Sequence, residues 1–306
     1  MSSVELIEVG PRDGLQNDSV ILPTETKVEL IRKLIAGGAR RLEIASFVNP
    51  RRVPQMADAE AVIAGLGVCD AVRIGLVLNQ RGAERAIASG IDELGAVCVA
   101  SDSFGIRNQG QDSAATVDTA LAILRLAAAA GRRAQVTIAV AFGCPFEGEV
   151  SADRVIDIAR SLAAGNPREI ALADTIGVAV PAHVSQLVTA VRQAVAPIPV
   201  RAHFHDTRGT GIANVWAAVE AGATMIDSSI GGLGGCPFAP GAAGNVATED
   251  VHYLLSRSGI ATGRAAADLA ATSAWLSGHL GKPMPTRVGD APDFPPSVEK
   301  VSDHDC

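Results

Sequence analysis

Positive charge is scarce: 26 lysines and arginines stand against 33 aspartates and glutamates, a net charge of −7. No basic run or basic amphipathic helix offsets that balance, which argues against a nucleic-acid surface and against an anionic membrane as partner. Any phosphate-bearing ligand must then be held by local basic residues. Long hydrophobic runs are missing too. None reaches the about 20 residues needed to span a bilayer, and Met1-Ser2-Ser3-Val4-Glu5 has neither a basic n-region nor an apolar h-region, so a cytoplasmic location is expected. The five cysteines (Cys69, Cys98, Cys144, Cys236, Cys306) lie far apart, with no C-x-x-C spacing, which fits reduced thiols better than a disulfide framework. No G-x-G-x-x-G follows the first apolar run, where a dinucleotide-binding fold would place it.

What the chain does have is core-forming material and tight turns, with 48% hydrophobic residues, 19% charged residues and 31 glycines. Eight short apolar, β-branched runs recur at 4–10, 41–47, 73–78, 93–100, 135–142, 169–175, 199–206 and 225–232, with helix-like segments between them. In the first of these, Val28-Glu29-Leu30-Ile31-Arg32-Lys33-Leu34-Ile35 carries apolar residues at helical spacing and ends at Gly37-Gly38. Strand and helix in alternation predict βαβ units. Eight of them in 306 residues predict an α/β fold of the (β/α)₈ TIM-barrel type over residues 1–260. Thr248 is the expected cap of the last barrel helix. Residues 261–282 include an Ala/Leu-rich amphipathic stretch with Trp275 and are expected to add a C-terminal helix packed on the barrel or on another subunit, and a homodimer is expected. The stretch 283–306, rich in proline and aspartate, is expected to be poorly ordered.

A barrel of this type places its active site at the carboxyl ends of the strands. The runs end there in polar residues: Gly10-Pro11-Arg12-Asp13-Gly14, Glu43 with Ser46, Ser101-Asp102, Asp174-Thr175, His203-Phe204-His205-Asp206, and Gly231 through Pro237. Asp174-Thr175 and Asp206-Thr207 are equally readable as helix caps and turn residues. His203 and His205 are two apart in a strand and so project to one side, the geometry of paired metal ligands. Asp13 and Asn245 add oxygen donors, and a mixed nitrogen and oxygen set suits Mg²⁺ or Mn²⁺ better than a structural zinc.

Several stretches then resemble the 3-hydroxy-3-methylglutaryl-CoA lyase family: Glu8-Val9-Gly10-Pro11-Arg12-Asp13-Gly14-Leu15-Gln16-Asn17, Ser46 to Asp58, Ala173-Asp174-Thr175-Ile176-Gly177-Val178, His203-Phe204-His205-Asp206-Thr207 and Gly231 to Asp250. The resemblance implies a retro-Claisen cleavage of an acyl-CoA substrate to acetyl-CoA and acetoacetate. It implies Asp13, His203, His205 and Asn245 as ligands of a divalent cation, Arg12 as stabiliser of the thioester enolate, and Glu43 as a carboxylate orienting Arg12 or metal-bound water. It also implies Cys236 as the acid that protonates the enolate, while Asp13 and a liganding histidine both remain candidates for the base. The sequence departs from the family where a lysine often follows the Gln-Asn pair and Asp18-Ser19-Val20 stand here, and again at Ser101 to Asn108. Arg51, Arg52, Arg107 and Asn108 are the remaining candidates for holding CoA. The acyl group is left open, with citramalyl-CoA or an isohexenylglutaryl-CoA as alternatives. A condensing acyltransferase of the same superfamily is a further alternative.

Overall fold

Eight parallel strands close on themselves in sequence order: β1 (Glu5–Glu8), β2 (Arg41–Ser46), β3 (Val72–Val77), β4 (Glu93–Val99), β5 (Arg133–Ala139), β6 (Ile170–Asp174), β7 (Val200–Phe204) and β8 (Met225–Ser228), with β8 pairing back onto β1. The structure is a computed structural model describing residues 3–235, 244–292 and 294. Around the barrel run α1 (Thr24–Ala36), α2 (Ala59–Leu66), α3 (Gln80–Ala88), α4 (Asp102–Gln109), α5 (Ser113–Ala129), α6 (Ala152–Ala163), α7 (Pro181–Val195), α8 (Gly211–Glu220) and α9 (Thr248–Arg257), followed by α10 (Ala266–Leu280). This is the (β/α)₈ TIM barrel that the eight runs predicted. The strand of the run 135–142 ends early, at Ala139, because Val140 takes a left-handed φ of 51° and leaves the ladder. Its amide is met by the Thr175 hydroxyl at 2.8 Å instead. Among the described residues no helix is long and apolar enough to cross a membrane.

The main hydrophobic core lies between strands and helices, where the outward side chains of the β-branched runs, among them Leu42, Val136 and Leu172, meet the apolar faces of the helices. The barrel interior is different. A small separate apolar cluster, Ile7, Val9, Ile74 and Met225, shares it with charges. Arg41 on β2 is 1% exposed and donates to Glu93 on β4 at 2.5 Å and to Glu169, one residue before β6, at 2.7 Å. Barrel interiors are built in layers contributed by alternate strands, usually of branched apolar residues, and here the even strands fill one layer with an ion network. Burying these charges is tolerable only because each finds partners.

α10 lies against α1 and α9, and the Lys33 ammonium sits 5.2 Å from the centre of the Trp275 ring. Beyond α10 the chain is tied down as far as Val288, where disorder was expected. Met284 packs against Gly231, Thr286 N donates to Gly231 O at 3.1 Å, and the Asp250 carboxylate accepts from the Thr286 hydroxyl, Arg287 N and Val288 N. Composition gave no sign of this because the anchor, Asp250, lies on α9. Residues 295–306 are outside the described residues. Thr248 is not a cap but the first residue of α9, and its hydroxyl bonds Glu8 Oε2 at 2.9 Å.

Candidate active site at the carboxyl end of the barrel

After β1 the chain makes one wide π-helical turn, Gly10–Gly14, in which the amides of Arg12, Asp13 and Gly14 all converge on the Val9 carbonyl. Such turns are rare and cluster at functional positions. This one sends Arg12 toward β2 and Asp13 toward the end of β7. Arg12 Nε and Nη2 donate to Glu43 Oε2 at 2.8 and 2.5 Å, and Nη1 donates to Asp13 Oδ1 at 2.5 Å.

Asn245 arrives from the far end of the chain, in the stretch after β8. Gly244 to Val246 pair with the end of β7 as a short antiparallel bridge, with Asp206 N donating to Gly244 O and Val246 N to Phe204 O. Gly244 is required by that fit, since a Cβ there would lie 2.7 Å from Gly234 N and 2.8 Å from the Leu233 carbonyl carbon. Asn245 Nδ2 donates to Asp13 Oδ2 at 2.8 Å and to Leu233 O at 3.1 Å.

Asp13, His203 and His205 each offer a ligand atom, and the three atoms lie within 4.8 Å of one another. His205 Nε2 is 3.7 Å from Asp13 Oδ2, and the two imidazole rings are 5.1 Å apart. Both histidines are buried, as is Asn245. Asn245 Oδ1 has no hydrogen-bond partner among the described residues, and an orphaned buried acceptor is costly unless something is meant to meet it. A divalent cation fits this set: two nitrogens, a carboxylate and the free amide oxygen.

The electrostatics hold Asp13 and Arg12 in their charged forms. Burial opposes the Asp13 carboxylate, but Arg12, His205 and His203 outweigh it and keep its pKa well below the ordinary range. Burial likewise opposes Arg12, yet Asp13 and Glu43 raise its pKa above that of an ordinary arginine, so its charge is permanent. Asp227 on β8, which the sequence reading did not single out, lies 3.1 Å from His203 Nδ1 through Oδ2 and accepts from Arg201 Nη1 at 3.0 Å through Oδ1. Asp174 does act as a turn residue, accepting from Val178 N and Ala179 N, and Asp206 accepts from Gly211 N.

The structure therefore brings together Arg12, Asp13, Glu43, His203, His205 and Asn245. It does not bring Arg51, Arg52, Arg107 or Asn108 into that buried group. The first two are exposed beyond β2, and Arg107 and Asn108 lie on α4 beyond β4, the exposed Arg107 guanidinium 4.0 Å from the centre of the Phe146 ring. Cys236 is outside the described residues; Gly235, just before it, belongs to the glycine turn beside Asn245 and accepts through its carbonyl from Asn17 Nδ2.

A parallel eight-stranded barrel with a buried acid, base and arginine group at its carboxyl end defines a TIM-barrel enzyme, and comparison with known proteins says of which kind. The HMGL-like family model matches residues 3–276. The chain is 41% identical to the (R)-citramalyl-CoA lyase of Chloroflexus aurantiacus over 99% of both chains. It is 38% identical to a hydroxymethylglutaryl-CoA lyase of Bacillus subtilis over 93% of this chain and 95% of that one. An HMG-CoA lyase from Acinetobacter baumannii, solved with coenzyme A and 3-methylmalate, superposes with a TM-score of 0.90 at 37% identity, covering 94% of this chain and 95% of that one. The chain belongs to the HMGL-like family and is a carbon–carbon lyase of the HMG-CoA lyase type.

Proposed function

We propose that the protein cleaves 3-hydroxy-3-methylglutaryl-CoA to acetyl-CoA and acetoacetate with the help of Mg²⁺ or Mn²⁺ held by Asp13, His203, His205 and Asn245. The observation that carries the reading is the three ligand atoms of Asp13, His203 and His205 within 4.8 Å of each other, with Asn245 bonded to Asp13 and its Oδ1 unpartnered among the described residues. When bound, the cation supplies Lewis-acid polarisation of the substrate's tertiary hydroxyl.

In the reaction the C2–C3 bond breaks and its electron pair passes into the thioester as an enolate. The C3 hydroxyl loses its proton and becomes a ketone, and the enolate carbon gains a proton to become acetyl-CoA. Asp13, deprotonated within the cluster, is one candidate for accepting the hydroxyl proton, with a liganding histidine the other. Arg12 is the enolate stabiliser. Three of its five N–H groups are spent on Glu43 and Asp13, which leaves two for a substrate oxygen. Glu43 locks the guanidinium in place before substrate arrives, so no reorganisation is needed as charge develops. Cys236 is the acid for the enolate carbon, and Arg51, Arg52, Arg107 and Asn108 are the groups assigned to CoA.

A second reading is (R)-citramalyl-CoA, favoured by the 41% identity over 99% of both chains to the Chloroflexus enzyme. Its acyl chain is one methylene shorter between C3 and the carboxylate, and pyruvate replaces acetoacetate. Acetyl-CoA release from each of the two substrates, with Mg²⁺ or Mn²⁺ present and then with the cation chelated, separates them. Release from neither sinks both.

A further inference from the structure

Asp227 stands behind His203, on the side of Nδ1. It bridges that nitrogen to Arg201 with its two oxygens, at 3.1 and 3.0 Å, and all three residues are buried. Arg201 precedes His203 by two residues on β7, so both face the barrel interior, and Arg201 Nη2 donates onward to Gln135 Oε1 and to Thr137 Oγ1. An arginine side chain only donates and does not lose its proton in a protein. Whatever atom of residue 227 faces Arg201 must therefore accept. A carboxylate accepts at both oxygens, so Oδ2 takes the Nδ1–H of a neutral His203 and leaves Nε2 with its lone pair free.

Resting on the cation site proposed above, we infer that Asp227, oriented by Arg201, is a positioning residue that selects the tautomer of His203 able to bind a divalent cation. The isosteric amide inverts the selection. In Asp227→Asn the single amide oxygen has to face Arg201, which turns the NH₂ toward His203 Nδ1. That nitrogen then accepts, the ring proton moves to Nε2, and the ligand atom is closed. Replacing Arg201 with a side chain that cannot donate lets the amide turn back.

The test uses the full chain in three forms: wild type, Asp227→Asn, and Asp227→Asn with Arg201→Met. Mn²⁺ affinity is read by electron paramagnetic resonance, and the His203 tautomer by ¹⁵N chemical shifts of labelled histidine at alkaline pH. The expected result is a loss of about 10–100-fold in Mn²⁺ affinity for Asp227→Asn, the range typical of groups that orient metal-binding histidines, with the proton moved to Nε2 and circular dichroism unchanged. The double variant should recover part of the affinity and return the proton to Nδ1, which a loss of packing alone would not do. If the double variant fails to fold, the single variant decides. An Asp227→Asn protein that keeps the Nδ1–H tautomer, or binds Mn²⁺ within about threefold of wild type, overturns the inference. Wild-type protein that binds no Mn²⁺ overturns the cation reading instead, and the histidine spectra still decide which His203 nitrogen carries the proton beside Asp227.

Discussion

The main chain at Asn245 is held beside His205 by backbone pairing: the Gly244 carbonyl accepts from Asp206 N at 3.0 Å and Val246 N donates to the Phe204 carbonyl at 3.1 Å. Position 245 can therefore lose its amide while the strand pairing that carries it stays. Asn245→Ala removes the free Oδ1 together with the hydrogen bonds from Nδ2 to Asp13 and Leu233. Leaving those acceptors without a donor costs on the order of 1–3 kcal/mol. The barrel should still fold, while the concentration of Mg²⁺ or Mn²⁺ giving half activity rises by at least about 10-fold, in line with the loss of a group that tunes a metal site. Full activity of wild-type protein in excess chelator would count against the whole ligand set.

Arg12→Lys keeps a positive charge but not the planar fork. The guanidinium reaches Glu43 through Nε and Nη2 and Asp13 through Nη1, and a single ammonium cannot span both carboxylates and still present N–H groups to substrate. Removing one preorganised oxyanion donor costs about 10²–10³ in kcat in comparable enzymes. The lysine variant should fall in that range with KM changed little. A kcat within about threefold of wild type would remove Arg12 from the enolate role.

Much of this was legible from the chain, and the gaps have physical reasons. The eight strands were visible because each is a short β-branched run, and His203 and His205 stood out because a strand repeats every two residues. The same period reaches back to Arg201, but arginine is ordinarily a surface residue and its role shows only once Asp227 on the next strand is beside it. The interior ion network was invisible to any local pattern, since Arg41 finds its partners 52 and 128 residues away. The strand end at Ala139 was missed because a left-handed valine is not predictable from residue type. Asp13 and Asn245 were picked as oxygen donors, but the wide turn and the bridge that aim them are tertiary features.

Glu249 predicts a pH dependence of stability. It is buried, both carboxylate oxygens lie within 3.0 Å of Gly231 N, and burial, with the nearby Glu8 charge adding to it, pushes its pKa up to about 7. A raised carboxylate pKa means that the folded state binds the proton more tightly than the unfolded chain. Its stabilising contribution is therefore complete below the unfolded value of 4.5 and is lost as the pH rises through about 7. At about 1.4 kcal/mol per pKa unit, the swing is about 3 kcal/mol. Glu249→Gln keeps an uncharged group of the same shape. The difference in Tm between variant and wild type should thus grow in favour of the variant from pH 5 to pH 8, and a constant difference over that range would show that Glu249 does not titrate there.

Cys236 tests the proton-delivery step apart from the cation. Cys236→Ser leaves Asp13, His203, His205 and Asn245 untouched, so Mn²⁺ affinity and KM should stay near wild type. A serine hydroxyl is a far weaker acid than a thiol with a pKa near about 8.5, so kcat should fall by at least about 100-fold, the lower end of what a positioned general acid contributes. Alkylation supplies an independent readout. Cys98 is fully buried with its thiol pushed up to about 12, Cys144 is buried with its sulfur accepting from the Ser101 hydroxyl at 2.9 Å, and Cys69 is only half-buried but bonds the Ala71 carbonyl. Thiolate fraction and access govern thiol reactivity, so iodoacetamide should inactivate the enzyme through Cys236, with substrate protecting and the serine variant resisting further loss. Normal turnover in the serine variant, or inactivation that tracks modification of Cys69 or Cys306, would assign the enolate proton to another group.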